Sequence, residues 1–190
     1  MLTVDGLAYE HLQAEDVFID PHPETVFTRT VYGIDLGVVS PTSVTEWKLD
    51  QSKRKWATDE FYRSNANEED WIRWLADRNA MLVLCDPSSS DRQVEYWRKR
   101  YGLNIRRSRA KSFGDRFRLW KGLGQTIFVS RSAPNLWEEL QNLAQKRHRN
   151  GVWLEEWAEG CADHAWDSGA YGLSEFMTYQ MHPIKFRRVA

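Results

Sequence analysis

The sequence predicts an α/β protein: a mixed central β-sheet flanked by helices, with a β-hairpin before the C-terminal helix. Three observations carry this. Between residues 29 and 62, three stretches of alternating or strand-rich composition follow one another, as a meander of strands does. From residue 67 onward, apolar runs alternate with helical patterns, the rhythm of strands connected through helices. Asn150-Gly151, the dipeptide favoured in tight hairpins, interrupts residues 146–160.

Taken in order, residues 1–28 form an irregular lead-in containing Pro21 and Pro23, with one short strand near residues 17–19. A strand over residues 29–36 delivers Asp35 at its end, and Leu36-Gly37 begins a turn. Residues 42–49 and 55–62 supply two more strands. Asn67-Glu-Glu-Asp70 starts a helix with acids in its first turn. Residues 81–85 are an apolar run of the buried-strand type, cut short by Asp86-Pro87 because proline offers no backbone N–H. A helix over 91–100, a short strand over 103–107 and a basic helix from Ser112 to about Leu123 follow. Residues 126–130 read as a strand, Pro134 opens a helix reaching about Lys146, and a last helix runs from about Asp163 to Met177. Residues 29–180 are expected to be one domain, with 181–190 as a tail.

Composition excludes several classes. With 42% apolar and 28% charged residues the chain is globular and not disordered. The formal net charge is -1, so overall charge decides nothing about nucleic acid, but its distribution does. From Arg98 to Lys121 there are ten basic residues (Arg98, Lys99, Arg100, Arg106, Arg107, Arg109, Lys111, Arg116, Arg118 and Lys121) against one acid, Asp115. With Tyr101, Phe113, Phe117 and Trp120 interleaved, the segment suits contact with phosphates; a solvated helix face is the competing reading. Lys146-Arg-His-Arg149 at the hairpin is a second such patch. Two cysteines far apart, Cys85 and Cys161, imply no disulfide framework and suit a reducing compartment. No apolar run approaches the length of a membrane span, and the first residues lack the features of a signal peptide.

The chemistry is carried by acids in three contexts. Asp35 ends Val31-Tyr-Gly-Ile-Asp35 and Asp86 ends Met81-Leu-Val-Leu-Cys-Asp86, both at strand ends facing a crevice. Asp167 rides on the last helix within Asp163-His-Ala-Trp-Asp167, too deep to cap it. Strand-end carboxylates converging with a helical carboxylate suit divalent cations such as Mg²⁺ or Mn²⁺, which serve phosphodiester hydrolysis in pairs. Asp163 lies about 40° from Asp167 around the helix and is either an N-cap or a member of the site. His164 points further round, toward solvent in an ideal helix. Ala162, Trp166, Ala170, Leu173 and Met177 form the apolar stripe, and Gly169 allows close approach to a strand.

Gly33-Ile-Asp-Leu-Gly37, Leu84-Cys-Asp-Pro-Ser88 and Asp163-His-Ala-Trp-Asp167 with Tyr171 together resemble the nuclease domain of the large terminase subunit of tailed bacteriophages. The resemblance spans about Asp5 to Phe176. One family position departs: an arginine is usual where Ala170 stands. The resemblance implies a ribonuclease H-like fold and a metal-dependent endonuclease that cuts concatemeric viral double-stranded DNA during genome packaging in the cytoplasm of an infected bacterium. Asp35, Asp86 and Asp167 would be the catalytic acids binding two divalent metals, Mg²⁺ or Mn²⁺, with Asp163 and His164 accessory to them. Arg106, Arg107, Arg109, Lys111, Arg116, Lys146, Arg147 and Arg149 are the candidate DNA contacts. Residues 1–28 would be the linker from a missing N-terminal ATPase domain, since no Gly-x-x-x-x-Gly-Lys-Ser/Thr loop is present. The chain would then be an excised C-terminal domain with an added start Met, and the small terminase subunit and the portal would be partners. The same acids also fit a Holliday-junction resolvase or a transposase-type nuclease. Gly33-Ile-Asp-Leu-Gly37 alone is similar to the first phosphate loop of actin-like kinases, which need a second glycine-rich loop. A non-catalytic DNA-binding module is the remaining alternative.

Overall fold

The computed structural model describes residues 6–37, 39–147 and 153–176. Its centre is a six-stranded sheet built from β1 (Phe27–Asp35), β2 (Thr42–Asp50), β3 (Lys55–Arg63), β4 (Val83–Cys85), β5 (Ile105–Arg107) and β6 (Ile127–Val129), in the order β5-β4-β1-β2-β3-β6. The first three strands are the antiparallel meander, and β4, β5 and β6 join in parallel. The mixed sheet expected from the sequence is therefore present.

Period-two alternation divides each strand between two cores. On β1, Tyr32 and Ile34 belong to one core, with Trp71, Leu75, Val94 and Trp97. Those residues come from α2 (Glu68–Asp77) and α3 (Asp91–Tyr101). Val31 belongs to the other, with Trp47, Leu84, Trp120, Leu136, Trp166 and Tyr171. This second core lies under α4 (Phe113–Leu119), α5 (Pro134–Asn142) and α6 (His164–Leu173). Gly33 and Asp35 share the Val31 side of β1, so Asp35 faces the helix carrying Asp167. A two-stranded ribbon, β7 (Gln145–Arg147) with β8 (Trp153–Trp157), supplies the predicted hairpin; its Asn150-Gly151 turn lies outside the described residues.

Several boundaries differ from the sequence expectation, each for a physical reason. Instead of a strand near 17–19 there is one turn of helix, α1 (Ala14–Val17), after which Phe18 pairs with Val129 at the sheet edge. The basic helix stops at Leu119 and tightens into a 3₁₀ turn over Trp120–Gly122, because Trp120 turns into the core. α5 ends at Asn142: Leu143 is extended, and residues 145–147 pair with β8. α6 ends at Leu173, and Met177 lies outside the described residues. Residues of the lead-in pack on the main body, where Tyr9 accepts a 2.9 Å hydrogen bond from Trp166 Nε1 and Ala8 N donates to Leu143 O.

Candidate active site

Glycines set how near α6 comes to the sheet. A Cβ on Gly33 would lie 1.8 Å from Ser168 O, and one on Gly172 would lie 2.6 Å from Trp47 Cδ1 and 2.9 Å from Gly33 N. Helix and strand therefore touch backbone to backbone, which only glycine permits. Gly169, expected at this contact, instead faces the Trp120 ring, 2.8 Å from where its Cβ would be. Ser168 Oγ lies 2.9 Å from Ser43 Oγ and 2.8 Å from Thr45 Oγ1, and Trp47 Nε1 donates to Gly169 O at 2.9 Å. These bonds fix α6 along β2 as well as across β1.

Two parallel neighbours place the strand-end acids side by side. Gly33 is in register with Leu84 and Ile34 with Cys85, so Asp35 and Asp86 leave the ends of β1 and β4 at the same level. A cavity of about 150 Å³ opens there, lined by Ile34, Asp35, Leu36, Cys85, Asp86, Ser88 and Ser89. A wider, shallow depression along α3 is lined by Asp91, Glu95, Arg98, Lys99 and Arg107 and holds none of the three acids.

Each of the three acids has an internal partner. His164 Nδ1 lies 3.0 Å from Asp35 Oδ2. Tyr171 donates its hydroxyl to Asp86 Oδ2 at 2.9 Å. Arg116 Nε lies 2.6 Å from Asp167 Oδ1. The expectation that His164 points to solvent is thus corrected: the ring sits in the first turn of α6 and is drawn inward by Asp35. That bond is the main reason its imidazole holds a proton more tightly than usual, against the opposing effect of burial.

The electrostatics separate the acids. Burial works to raise Asp86, but hydrogen bonds from Ser88 and Tyr171 hold it below the usual carboxylate range. Burial pushes the Asp167 carboxyl up to about 8; Asp35, Asp163 and Asp86 add to the rise, and Arg116 opposes it. The short contact with Arg116 suggests a strong ion pair, yet neither Arg116 Nε nor Asp167 Oδ1 is aligned for a hydrogen bond, and both are buried. Burial and the three nearby acids outweigh this one misaligned guanidinium, so Asp167 is under-satisfied. Asp163 is raised as well, chiefly by burial. It occupies the N-cap position of α6, but its side chain makes no capping bond.

The cap comes from elsewhere. Glu139 on α5 accepts from Trp166 N at 2.8 Å and from Tyr62 Oη at 2.9 Å, and burial raises its carboxyl to about 7. Sequence reasoning missed Glu139, because an acid within a helix 27 residues upstream carries no local sign of capping another helix. Glu60 does the same for α5, accepting from Asn135 N and Leu136 N.

Among the described residues, no three acid, histidine or cysteine side chains are arranged to hold a metal ion as they stand. Arg116, His164 and Tyr171 each partner one of the three acids. The donor set nevertheless fits a hard cation: the acids offer only oxygen, and a buried Asp167 oxygen lacks an aligned donor.

The candidate DNA contacts sort into two groups. Arg106 is bonded to Glu175, which Arg29 also holds, and Arg107 reaches Asp91 at 2.7 Å. Arg116 faces Asp167, Lys146 pairs with Glu156 at 3.0 Å, and Arg147 lies over the Trp153 ring. Arg109 and Lys111 are exposed and form no ion pair among the described residues. Arg149 lies outside those residues.

No family model matches the chain and no curated protein matches its sequence. Solved structures do match its fold. The large terminase nuclease domain of bacteriophage SPP1, solved with bound Mn, superposes with a TM-score of 0.67 over 80% of this chain and 88% of its own, at 21% identity. The large terminase nuclease of the thermophilic phage G20c, solved with bound magnesium, gives 0.60 over 91% and 99% at 15% identity. The large terminase of another thermophilic bacteriophage gives 0.70 at 17% identity, covering 87% of this chain and 44% of that one. The present chain thus spans less than half the length of that protein and has the fold of these nuclease domains.

Proposed function

We propose that this chain is the nuclease domain of a phage large terminase, a metal-dependent endonuclease that cuts concatemeric viral double-stranded DNA during genome packaging. The observation that supports it most is that Asp35 and Asp86 stand side by side at two parallel strand ends, with Asp167 on the facing α6 near enough for both charges to act on it, in a fold shared with the SPP1 nuclease domain. Asp35, Asp86 and Asp167 would hold two divalent cations, Mg²⁺ or Mn²⁺, with Asp163 and His164 beside them. Bound there, such cations supply an activated water and stabilise the leaving oxygen, giving a 3′-hydroxyl and a 5′-phosphate.

The chain's own residues prepare this chemistry. Tyr171 fixes the rotamer of Asp86 through its hydroxyl, and His164 orients Asp35 through Nδ1. The glycine contact between α6 and β1 holds the helix carrying Asp167 against the strand that ends at Asp35. Arg109 and Lys111 hold the DNA backbone, and phosphate contacts of this kind carry little sequence preference. Arg106, Arg107 and Lys146 join them by exchanging their present acidic partners for phosphate. Arg147 on β7 joins this surface, and Arg149 is proposed as a further contact from the sequence alone. In the complete protein, an N-terminal ATPase domain, the small subunit and the portal would be the partners, in the cytoplasm of the infected host. No helix of the described residues is long and apolar enough to cross a membrane.

Supercoiled plasmid incubated with the purified chain and Mg²⁺ or Mn²⁺ tests the reading. Nicking and linearisation are expected, falling by about a thousandfold in Asp35→Asn and Asp86→Asn. A folded wild-type chain that cuts nothing with either cation overturns it.

A further inference from the structure

Arg116 is the basic residue of the segment from Arg98 to Lys121 that reaches into the acid cluster. It belongs to α4, and its side chain is only 18% exposed. Its guanidinium lies over the rings of Trp166 and Tyr171, 5.8 and 5.9 Å from their centroids, which leaves it a flat and weakly hydrated berth. Its Nε faces Asp167 Oδ1 at 2.6 Å without the alignment of a hydrogen bond. Its charge is felt by Asp86, Asp163 and Asp167 alike. A guanidinium set among acids, close to one but not locked to it, behaves as a counter-ion more than as a structural tie. A structural arginine elsewhere in the chain looks different: Arg78 donates through both Nε and Nη2 to Asp59, at 3.0 and 2.6 Å.

We propose that Arg116 is a resident counter-ion of the acid cluster: it yields Asp167 to an incoming divalent cation and, once released, binds a phosphate oxygen of the DNA. This rests on the nuclease reading above. Two positive charges cannot share one carboxylate at this separation without strong repulsion, so the cation and Arg116 compete for Asp167. The stacked berth lets the guanidinium swing from Asp167 while keeping contact with the rings. Its planar donors match a phosphate as well as they match a carboxylate. Exposed Arg109 and Lys111 sit just ahead of α4, so the released charge would extend an existing cationic edge.

The test measures cation binding and DNA binding separately, with no cleavage readout. Mn²⁺ is titrated calorimetrically into the metal-free full chain at pH 8, for wild type, Arg116→Gln and Arg116→Lys. Arg116→Gln is expected to bind Mn²⁺ about tenfold more tightly, because a competing charge is gone, and Arg116→Lys to stay within about threefold of wild type. With Ca²⁺ in place of a cleaving metal, duplex DNA is expected to bind several-fold more weakly to Arg116→Gln. In wild type, the Arg116 Nε–H resonance, assigned by its loss in Arg116→Lys, should move when Mg²⁺ is added. That readout holds even where Arg116→Gln does not fold. A folded Arg116→Gln that binds Mn²⁺ no more tightly than wild type overturns the proposal, as does an unmoved resonance in a cation-saturated protein. A wild-type chain that binds no Mn²⁺ removes the nuclease reading first, which keeps the two failures distinct.

Discussion

Glu46 and Asp167 are acids packed against opposite faces of the same sheet, and their surroundings treat them differently. Glu46 is 6% exposed and has three donors: Tyr32 Oη at 2.7 Å, Thr58 Oγ1 at 2.6 Å and Lys48 Nζ at 2.9 Å. Burial works to raise it, yet these donors hold it below the usual glutamate range. Asp167 has one misaligned cation and three other acids nearby, and it is pushed up to about 8. A buried acid that serves structure is given its donors by the fold. One left short of them, beside other acids, is what the proposed cation site requires.

Four experiments break or sharpen this contrast. The largest effect is expected from Gly33→Ala, which forces α6 off β1 and so dismantles the Asp167 side while leaving the Glu46 side alone. Its cost should be about 4 kcal/mol by urea denaturation, because the obstructing atom is backbone and cannot rotate away. A variant as stable as wild type would show that α6 is not held at that contact.

The second concerns Glu139, which stands between the two cases: well supplied with donors, yet raised by burial to about 7. An acid with a raised folded pKa keeps its proton in the native state after the unfolded chain has lost it. Its contribution to stability is therefore full below about 4.5 and declines as pH rises toward about 7, by at most about 3 kcal/mol. Glu139→Gln should flatten that slope in stability measured from pH 4.5 to 7.5 without divalent cations. An unchanged slope would assign the titration to another group.

Third, Glu46→Gln should lose about 2 kcal/mol, since one amide cannot accept from three donors. Asp167→Asn should change cation-free stability at pH 7 by less than about 1 kcal/mol, since its buried oxygen has no aligned hydrogen bond to lose. Equal losses in the two variants would erase the contrast. The smallest effect belongs to Arg109→Ala with Lys111→Ala. The pair should leave the melting temperature unchanged, weaken duplex binding and reduce its salt slope by about 2. An unchanged slope would take both side chains off the DNA.

Most of the sheet was legible before the structure. Asp35 and Asp86 stand where apolar runs stop, and strand ends are a local property. Asp167 was legible because its depth in a helix left no capping role for it. What escaped was set by distant partners. The direction of His164 is fixed by Asp35, 129 residues away, and the partner of Arg116 lies on another helix. The sequence offers Gly169 for close approach to a strand, but the structure gives that contact to Gly172, because Trp120 fills the space beside Gly169. The early end of α5 follows from ribbon pairing with β8, which propensity within residues 134–146 does not show.

The borrowed cap of α6 also bears on the order in which the chain folds. A ten-residue helix whose own N-cap residue makes no side-chain bond is a poor autonomous nucleus in water. It forms stably only once Glu139, Gly33, Ser43 and Thr45 are in position, and these contacts span 27 to more than 120 residues of sequence. Contacts so distant close late, because each waits on the loop entropy of the chain between. α6 therefore takes its place at the end of folding, and an incompletely folded chain does not yet bring Asp167 beside the strand ends that carry Asp35 and Asp86.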